Sequence, residues 1–162
     1  SVIPFFISKR DQGASELPIT DMRMTRFNIS LEAGVDLVMF AIGHHLGGEI
    51  FIPKIPSYKI GDVATAIAPN IKQIEIGIRP GEKLHEEMIT ATDALNTIDL
   101  GEYYAILPSV SFKHQKDEYI KHHNAVMVPE GFHYSSDSND QWESVESIRE
   151  KIVEFVDPNF TV

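Results

Sequence analysis

The chain has 162 residues, of which 43% are hydrophobic and none is cysteine. The length and hydrophobic content predict one domain without membrane helices, and we expect it in the cytoplasm. Without cysteine, the chain can form no disulfide, thiolate metal site or cysteine nucleophile. Lys and Arg number 14 against 24 Asp and Glu, and the resulting formal charge of −10 disfavours general binding to nucleic acid or to anionic lipid. Any anionic ligand would therefore be held by a few placed cations.

The first predicted elements are an apolar segment, a helix and a strand. Residues Ser1–Phe6 are apolar from the start and carry no charged leader, which is typical of the middle of a larger structure. Ser30 is a good N-cap for a helix that Gly47 and Gly48 end. Apolar residues form one face of this helix: Leu31, Val35, Val38, Met39 and Ile42. The run Glu49–Ile52 predicts a short strand.

The middle of the chain predicts a helix, a strand, a turn and a second helix. A short helix that Pro69 stops is predicted from the spacing of four apolar residues: Ile60, Val63, Ala64 and Ile67. Three isoleucines then alternate with other residues, as in a strand with one buried face: Ile74, Ile76 and Ile78. Arg79 follows this strand directly, Pro80 and Gly81 impose a turn, and Glu82–Ile89 suits a helix.

The last third predicts a strand at Tyr103–Leu107 and a polar helix at Asp117–His123. The Gly-, Ser-, Asp- and Asn-rich stretch Pro129–Asn139 is the longest predicted loop. After it, Ser144 caps a closing helix whose apolar positions are Val145, Ile148 and Ile152. We therefore expect residues 129–162 to form a pocket loop and a closing helix. Strands that alternate with helices predict an α/β fold, here a small mixed sheet with flanking helices.

Several catalytic and cofactor motifs are missing. No Gly-x-Gly-x-x-Gly turn is present, so the chain is not expected to hold NAD or NADP by itself. None of the five tyrosines is followed by a lysine four residues later. His85 and Glu86 begin a zinc-binding His-Glu-x-x-His pattern, but Ile89 replaces the second histidine, and no metal site is predicted. The adjacent histidines are interpreted as surface side chains near helix ends: His44, His45, His122 and His123.

Arg79 and Glu82 have two interpretations each. At the carboxyl end of a strand, the Arg79 guanidinium can bind a diphosphate, or it can pair with Glu82 and brace the turn. Glu82 can accept hydrogen bonds from a sugar hydroxyl, or it can favour the positive end of a helix. Arg23 and Arg26 can face phosphate or balance local acid.

Two further sets of residues are also open to two interpretations. Lys54 is equally well explained as a ligand contact or as a solvated loop lysine. The three aromatic residues that flank the long loop can stack on a base, although such residues more often anchor a loop to the core: Phe132, Tyr134 and Trp142.

Six sequence blocks carry a resemblance to a known family. In chain order they are Ser1–Phe6 (SVIPFF), Leu17–Asp21 (LPITD), Met24–Phe27 (MTRF), Gly47–Ser57 (GGEIFIPKIPS), Ile78–Glu86 (IRPGEKLHE) and Pro129–Phe132 (PEGF). With these blocks the chain resembles the inverting UDP-N-acetylglucosamine 4,6-dehydratases, which are extended short-chain dehydrogenase/reductases. Asn28 and Tyr58 depart from the family pattern, which usually has an aromatic residue and a Met there.

The resemblance implies that this chain is the carboxyl-terminal, substrate-binding half of such an enzyme. The amino-terminal Rossmann half, which binds NADP and carries the catalytic groups, would be absent, so no catalytic residue is expected here and the chain alone should be inactive. The resemblance implies UDP-sugar contacts at four residues: Thr20, Arg26, Arg79 and Glu82. Ser1 and Val2 would pass the cofactor, within a segment of residues 1–12 that leaves the Rossmann half.

Partners implied by the resemblance are a UDP-sugar, the Rossmann half and further copies in a homo-oligomer. Two alternatives stay open. The chain can be a non-catalytic assembly module whose apolar surface lies around residues 2–6, or half of a related sugar-nucleotide epimerase.

Overall fold

The computed structural model describes residues 2–110 and 114–162, and in these ranges the chain forms five α-helices and ten short strands. The helices are α1 (Val2–Asp11), α2 (Leu31–His44), α3 (Ile60–Ile67), α4 (Lys116–His123) and α5 (Val145–Phe155). The strands are β1 (Glu16–Ile19), β2 (Thr25–Phe27), β3 (Ile50–Pro53), β4 (Ser57–Lys59), β5 (Lys72–Glu75), β6 (Glu87–Ile89), β7 (Thr97–Asp99), β8 (Tyr103–Ile106), β9 (Val126–Met127) and β10 (Tyr134–Ser135). A single 3₁₀ turn covers Asp93–Asn96.

The chain divides into two compact units, each built from separated stretches of sequence. Unit 1 comprises Ser1–Asn28, Pro56–Glu86 and Asn139–Val162. Unit 2 comprises Ile29–Ile55 and Glu87–Ser138. The prediction of one domain over residues 1–162 stays a prediction.

Unit 1 is built around the parallel pair β1–β5, with helices α1, α3 and α5. Helix α3 packs against both α1 and α5, and its predicted apolar face is buried. The core joins the helices to strand β1 through Phe6, Leu17, Ile19, Ile67 and Ile152. A second pair in this unit, β2–β4, is antiparallel and places Arg26 opposite Tyr58.

Unit 2 contains an antiparallel sheet with the strand order β3-β8-β7-β9, and a separate pair, β6–β10. Ile98 and Ala105 of the sheet pack with Tyr119 of α4. The loop after α2 is fixed by Glu49, whose carboxylate accepts the backbone N–H groups of Leu46 and Gly47 at 2.7 Å each. His123 lies 3.0 Å from the same buried carboxylate.

Most predicted elements are confirmed within a residue or two. Helix α2 begins at the Ser30 cap, where the hydroxyl accepts the Ala33 N–H at 3.1 Å. Helix α5 begins at Ser144, which forms a capping box with Ser147. The strands predicted at 49–52 and 103–107 correspond to β3 and β8, and the polar helix predicted at 117–123 corresponds to α4. The expected α/β composition is present, but in four small sheets rather than one mixed sheet.

Two predictions around residue 79 are wrong. The isoleucine strand ends at Glu75, so Arg79 does not follow it directly, and Ile76 and Ile78 are exposed. Residues 82–89 form no helix; an irregular segment with bends at residues 84 and 85 leads into β6 instead. The alternating isoleucines predicted a strand with one buried face over residues 74–78. The strand is shorter because its parallel pairing with β1 ends where Ile19 lies opposite Glu75.

The positions of three other groups of side chains correct the sequence interpretation. The apolar face of α2 is exposed, and this helix has no buried residue among those described. In the apolar segment at the start, Phe6 is buried, Val2 and Ile3 are partly buried against the core, and Phe5 is exposed. The apolar surface expected around residues 2–6 is therefore covered only in part, and the assembly hypothesis stays a prediction. His123 is not a surface histidine, since its side chain is 2% exposed beside Glu49.

Candidate functional site

A cavity of about 670 Å³ opens on unit 1. Its lining includes Phe6, Met24 and Ile60 from the core of this unit. Polar side chains share the cavity with these apolar ones: Thr20, Arg26, Tyr58, Arg79 and Glu82. The structure thus brings together the four residues predicted as ligand contacts, although they are spread over more than 60 positions of sequence.

The parallel pair β1–β5 positions two of these residues. Thr20 follows the last residue of β1, and Arg79 lies four residues beyond the end of β5. Because the strands are parallel, both residues leave the same carboxyl edge, where α/β proteins bind ligands. The Ile76 N–H donates to the Ile19 carbonyl at 2.8 Å and keeps the exit from β5 beside the exit from β1.

A tight turn fixes the backbone at Arg79. The Glu82 N–H donates to the Arg79 carbonyl at 3.0 Å, and the Glu82 carboxylate accepts the Arg79 N–H at 2.9 Å. Gly81 has a φ of +85°, which suits the third position of a Pro-Gly turn and is unfavourable for other residues. Glu82 therefore braces the backbone of this turn, and it does so without engaging the Arg79 guanidinium.

Three polar groups of the cavity are available to a ligand. In the described ranges, the Arg79 guanidinium and the hydroxyls of Thr20 and Tyr58 make no hydrogen bond or ion pair with the protein. Burial raises the pKa of the Tyr58 phenol above its ordinary value of 10.0, against the opposing effect of the nearby Arg26 charge. Tyr58 thus remains a protonated donor at neutral pH. One free cation beside two hydroxyls can bind an oxyanion and orient polyol groups next to it.

Arg26 lines the same cavity, but its guanidinium is already occupied. It donates to the carbonyls of Thr25 at 2.7 Å, Leu84 at 3.2 Å and Lys83 at 3.0 Å. Its Nε also lies 3.4 Å from a Glu86 carboxylate oxygen. These contacts tie the segment after the Arg79 turn to strand β2, so the structure favours a positioning role for Arg26 over a direct ligand contact.

Arg23 is paired with Asp21 and does not supply a free cation. The Asp21 carboxylate accepts the Arg23 backbone N–H at 2.8 Å and the guanidinium at 3.0 Å and 2.6 Å. These hydrogen bonds lower the pKa of Asp21 from 3.8 to about 2. The pair holds the turn that directly follows Thr20, and of the two sequence interpretations of Arg23, the balancing of local acid is confirmed.

Other candidates from the sequence are engaged elsewhere. Lys54 forms an ion pair with Asp99 at 2.6 Å and lies 4.3 Å from the centre of the Tyr104 ring. The Tyr134 hydroxyl accepts the Ile55 N–H and donates to the Ile55 carbonyl, so this residue ties its loop to the backbone that follows β3. Val2 lines the cavity of unit 1. Ser1 lies outside the described residues.

Tyr58 is the site residue that sequence reasoning missed. Its position departs from the family pattern, and the sequence alone gives it no functional role. The pairing of strands β2 and β4 could have identified Tyr58, because it places this residue opposite Arg26. The sequence of either strand alone does not reveal this pairing.

No helix in the described part of the chain is long and apolar enough to cross a membrane. Within the same part, no group of three or more His, Cys, Asp or Glu side chains could hold a metal ion. The donor groups that line the cavity of unit 1 are a guanidinium and two hydroxyls beside apolar side chains.

Comparison with known proteins shows the family to which the chain belongs. A family model described as "Polysaccharide biosynthesis protein" matches residues 1–108, which include every polar residue of the cavity. The chain belongs to this family. Within the polysaccharide biosynthesis family, a Campylobacter jejuni protein named UDP-N-acetylglucosamine 4,6-dehydratase (inverting) is 50% identical over 155 residues, or 94% of the chain. A protein of the same name from another strain of that species is 51% identical over 147 residues. The predicted resemblance is confirmed.

More distant relatives and a solved structure agree with this family assignment. A Rickettsia canadensis protein named UDP-glucose 4-epimerase is 42% identical over 110 residues, or 65% of the chain. The X-ray structure of Pen from Bacillus thuringiensis superposes with a TM-score of 0.75 over 95% of the chain, at 30% identity. The predicted α/β fold class is confirmed.

The chain spans about half the length of the relatives that it matches. It covers 46% and 44% of the two Campylobacter proteins and 45% of the Bacillus thuringiensis chain. A span of this size fits one half of such a protein.

Proposed function

We propose that this chain is the substrate-binding half of an NADP-dependent UDP-N-acetylglucosamine 4,6-dehydratase that inverts carbon 5. The reaction would give a 4-keto-6-deoxy UDP-sugar for surface polysaccharide or glycoprotein synthesis in the cytoplasm. The proposal is carried by the cavity of unit 1, in which the free Arg79 guanidinium lies with two free hydroxyls. The chain around this cavity is 50% identical to a protein of that name.

Each residue of the cavity has a distinct role in this proposal. Arg79 binds the diphosphate through charge-assisted hydrogen bonds, which are the strong class of such contacts. Thr20 and Tyr58 bind hydroxyl or amide groups of the nucleotide-linked sugar. Glu82 contributes mainly by holding the Arg79 turn, and Arg26 by holding the segment that follows it.

The cofactor belongs to the other half of the enzyme in this proposal. A dinucleotide site needs a glycine-rich turn between a parallel strand and a helix. In the described residues, β1 runs into Thr20 and Asp21, and β5 runs into the Pro80–Gly81 turn and then β6. Neither connection fits NADP, so we assign the redox and proton-transfer groups to the amino-terminal half. From this chain only the segment at Ser1 and Val2 would reach the cofactor.

A related epimerase is the second candidate function, because the Rickettsia canadensis relative carries that name. The dehydratase match is the longer one, at 155 residues against 110, and the more identical one, at 50% against 42%. We therefore favour dehydration over epimerisation.

Product analysis tests the proposal. The full-length protein, as its gene encodes it, should convert UDP-N-acetylglucosamine with NADP into a 4-keto-6-deoxy sugar with inverted carbon 5, as followed by NMR. A carbon-4 epimer as the product would instead support the epimerase. Absence of any UDP-sugar product together with intact folding would contradict both candidates.

A further inference from the structure

Residues 77–82, here called the Arg79 loop, are held in unit 1 by what lies before and after them. Before the loop, the Ile76 N–H donates to the Ile19 carbonyl at 2.8 Å, next to Thr20. In the described part of the chain, the loop residues hydrogen-bond only to one another. The place of the Arg79 guanidinium in the cavity therefore depends on how the chain is held at the two ends of the loop.

After the loop, the segment Lys83–Glu86 is held on strand β2 by backbone carbonyls. The Thr25 N–H donates to the Leu84 carbonyl at 3.2 Å. The Arg26 guanidinium donates to the carbonyls of Lys83 and Leu84. Every residue has a carbonyl, so these bonds hold the segment on the strand without determining which of its residues lies beside Thr25.

A side-chain contact can determine this register. The Thr25 Oγ1 lies 2.8 Å from the Nδ1 of His85, and Thr25 is only 4% exposed. A second side-chain contact, between Arg26 and Glu86, spans 3.4 Å and leaves the Glu86 side chain 43% exposed. Exposed ion pairs contribute little, so the Thr25–His85 contact is the one that favours a single register.

We propose that the Thr25–His85 pair positions the Arg79 loop by fixing the register of Lys83–Glu86 on β2. A slip of one residue would move this segment by up to about 3.8 Å, the distance between neighbouring Cα atoms. A hydrogen bond from the guanidinium to a ligand beside Thr20 does not survive such a shift. Neither Thr25 nor His85 is among the residues that line the cavity, so both act through the loop. The inference rests on the proposed function, since it takes this cavity as the UDP-sugar site.

Binding of UDP to the full-length protein tests the pair. Thr25→Val removes the hydroxyl at nearly constant volume and should weaken UDP binding about three- to tenfold, the range expected for one lost hydrogen bond. Thr25→Ser keeps the hydroxyl and should bind UDP as the parent protein does. In a His85→Phe background, Thr25→Val should lose most of its effect, because the pair is already broken.

Thr65→Val is the matched control. Thr65 also lies in unit 1 and outside the cavity, and its hydroxyl donates to the Gly61 carbonyl at 2.9 Å. This variant should lower the thermal midpoint and leave UDP affinity unchanged. An equal loss of UDP affinity in Thr65→Val and Thr25→Val would reflect general destabilisation and would overturn the positioning role.

Steady-state kinetics give a readout that loss of stability alone does not produce. Thr25→Val should raise the KM for UDP-N-acetylglucosamine and leave kcat unchanged, because a contact to the diphosphate holds substrate and transition state alike. A lower kcat at an unchanged KM would overturn the positioning of the Arg79 loop by this pair.

The outcomes separate the inference from the proposed function. Unchanged UDP affinity in Thr25→Val, or an equal loss with and without His85, overturns the positioning role even if the protein dehydrates UDP-N-acetylglucosamine. Coupled losses of UDP affinity in a protein that forms no keto sugar support the positioning role and contradict the proposed function alone. A parent protein that does not bind UDP contradicts both.

Discussion

Tyr58 illustrates at the scale of one residue how a cavity can assign a role that the sequence leaves open. Its hydroxyl makes no hydrogen bond within the described residues, and its ring lines the cavity. Tyr58→Phe should therefore leave thermal stability unchanged while it weakens UDP-N-acetylglucosamine binding by about 0.5 to 1.5 kcal/mol, the usual net value of one hydrogen bond. Calorimetric titration measures the affinity.

The control for Tyr58 is Tyr103→Phe in unit 2, where the ring stacks on Phe40. This variant should bind the UDP-sugar with unchanged affinity. Equal affinities for the Tyr58 variant and the parent protein would remove Tyr58 from the proposed binding site.

Asp21 gives a prediction on pH. Because its hydrogen bonds with Arg23 lower its pKa to about 2, the folded state binds the proton more weakly than the unfolded state does. The stabilising contribution is therefore complete above the ordinary pKa of 3.8 and is lost as the pH falls toward 2. Asp21→Asn should be less stable than the parent at pH 7, and the difference in unfolding free energy should shrink below pH 3.8 and vanish only once the pH has fallen below about 2.

Denaturant titrations of both proteins at several pH values measure this difference. A difference that stays constant from pH 7 to pH 2 would show that the charge of Asp21 does not matter and that the asparagine perturbs the turn by other means.

The sequence predicted which residues gather at the site better than it predicted how they are held there. Thr20, Arg26, Arg79 and Glu82 were expected together because of a family resemblance, and they do line one cavity. The occupied state of Arg26 could not be predicted, because two of its partners are backbone carbonyls nearly 60 positions away. Carbonyl groups are the same in every residue and leave no signal in the sequence.

At the scale of elements, the Arg79 turn is the feature that the proposed function needs most. Gly81 adopts a φ of +85° there, and Gly13, which is also in unit 1, has a φ of +71°. An added Cβ would meet no atom within 4 Å at either position, so alanine at either glycine is penalised by backbone strain alone. Both substitutions should cost about 1 kcal/mol of stability.

The two glycine variants should differ in binding. Gly81→Ala moves the backbone that carries Arg79 and should weaken UDP-N-acetylglucosamine binding, whereas Gly13→Ala should not. Parallel measurements of unfolding free energy and of affinity test this pair. Equal affinities at equal stability would show that the turn does not position the ligand-binding guanidinium.

Elements with strong local signals were predicted well. The Ser30 and Ser144 caps and the buried face of α3 are local features, and α2, α3 and α5 begin and end close to where these features indicate. The strand at residues 74–78 and the helix at 82–89 were wrong because pairing decides them. Strand β5 extends only as far as its parallel partner β1, and residues 87–89 pair with β10.

At the scale of the whole molecule, the sequence predicted an α/β composition but not the exposure of α2. The spacing of apolar residues on α2 has the same period as that on α3, and period alone cannot distinguish a face that covers its own core from one that is exposed. The exposed row of side chains became visible from the packed structure.

Catalysis is expected to need more than this chain. When the 162 residues are incubated with UDP-N-acetylglucosamine and NADP, no 4-keto sugar should form, because the proposal assigns all redox and proton-transfer groups to the other half. A chromatographic assay for the keto sugar checks this outcome. Clear turnover would show that the catalytic groups lie within these residues.

The most direct test of the central claim is a calorimetric titration of UDP-N-acetylglucosamine into the full-length protein and its Arg79→Ala variant. The account predicts that the variant binds about 1 to 3 kcal/mol more weakly, because a charge-assisted contact to the diphosphate is lost. Lys72→Ala removes an equal charge from an exposed position on β5 and should have little effect. Unchanged affinity for Arg79→Ala, or an equal loss for Lys72→Ala, would contradict the claim that Arg79 binds the diphosphate.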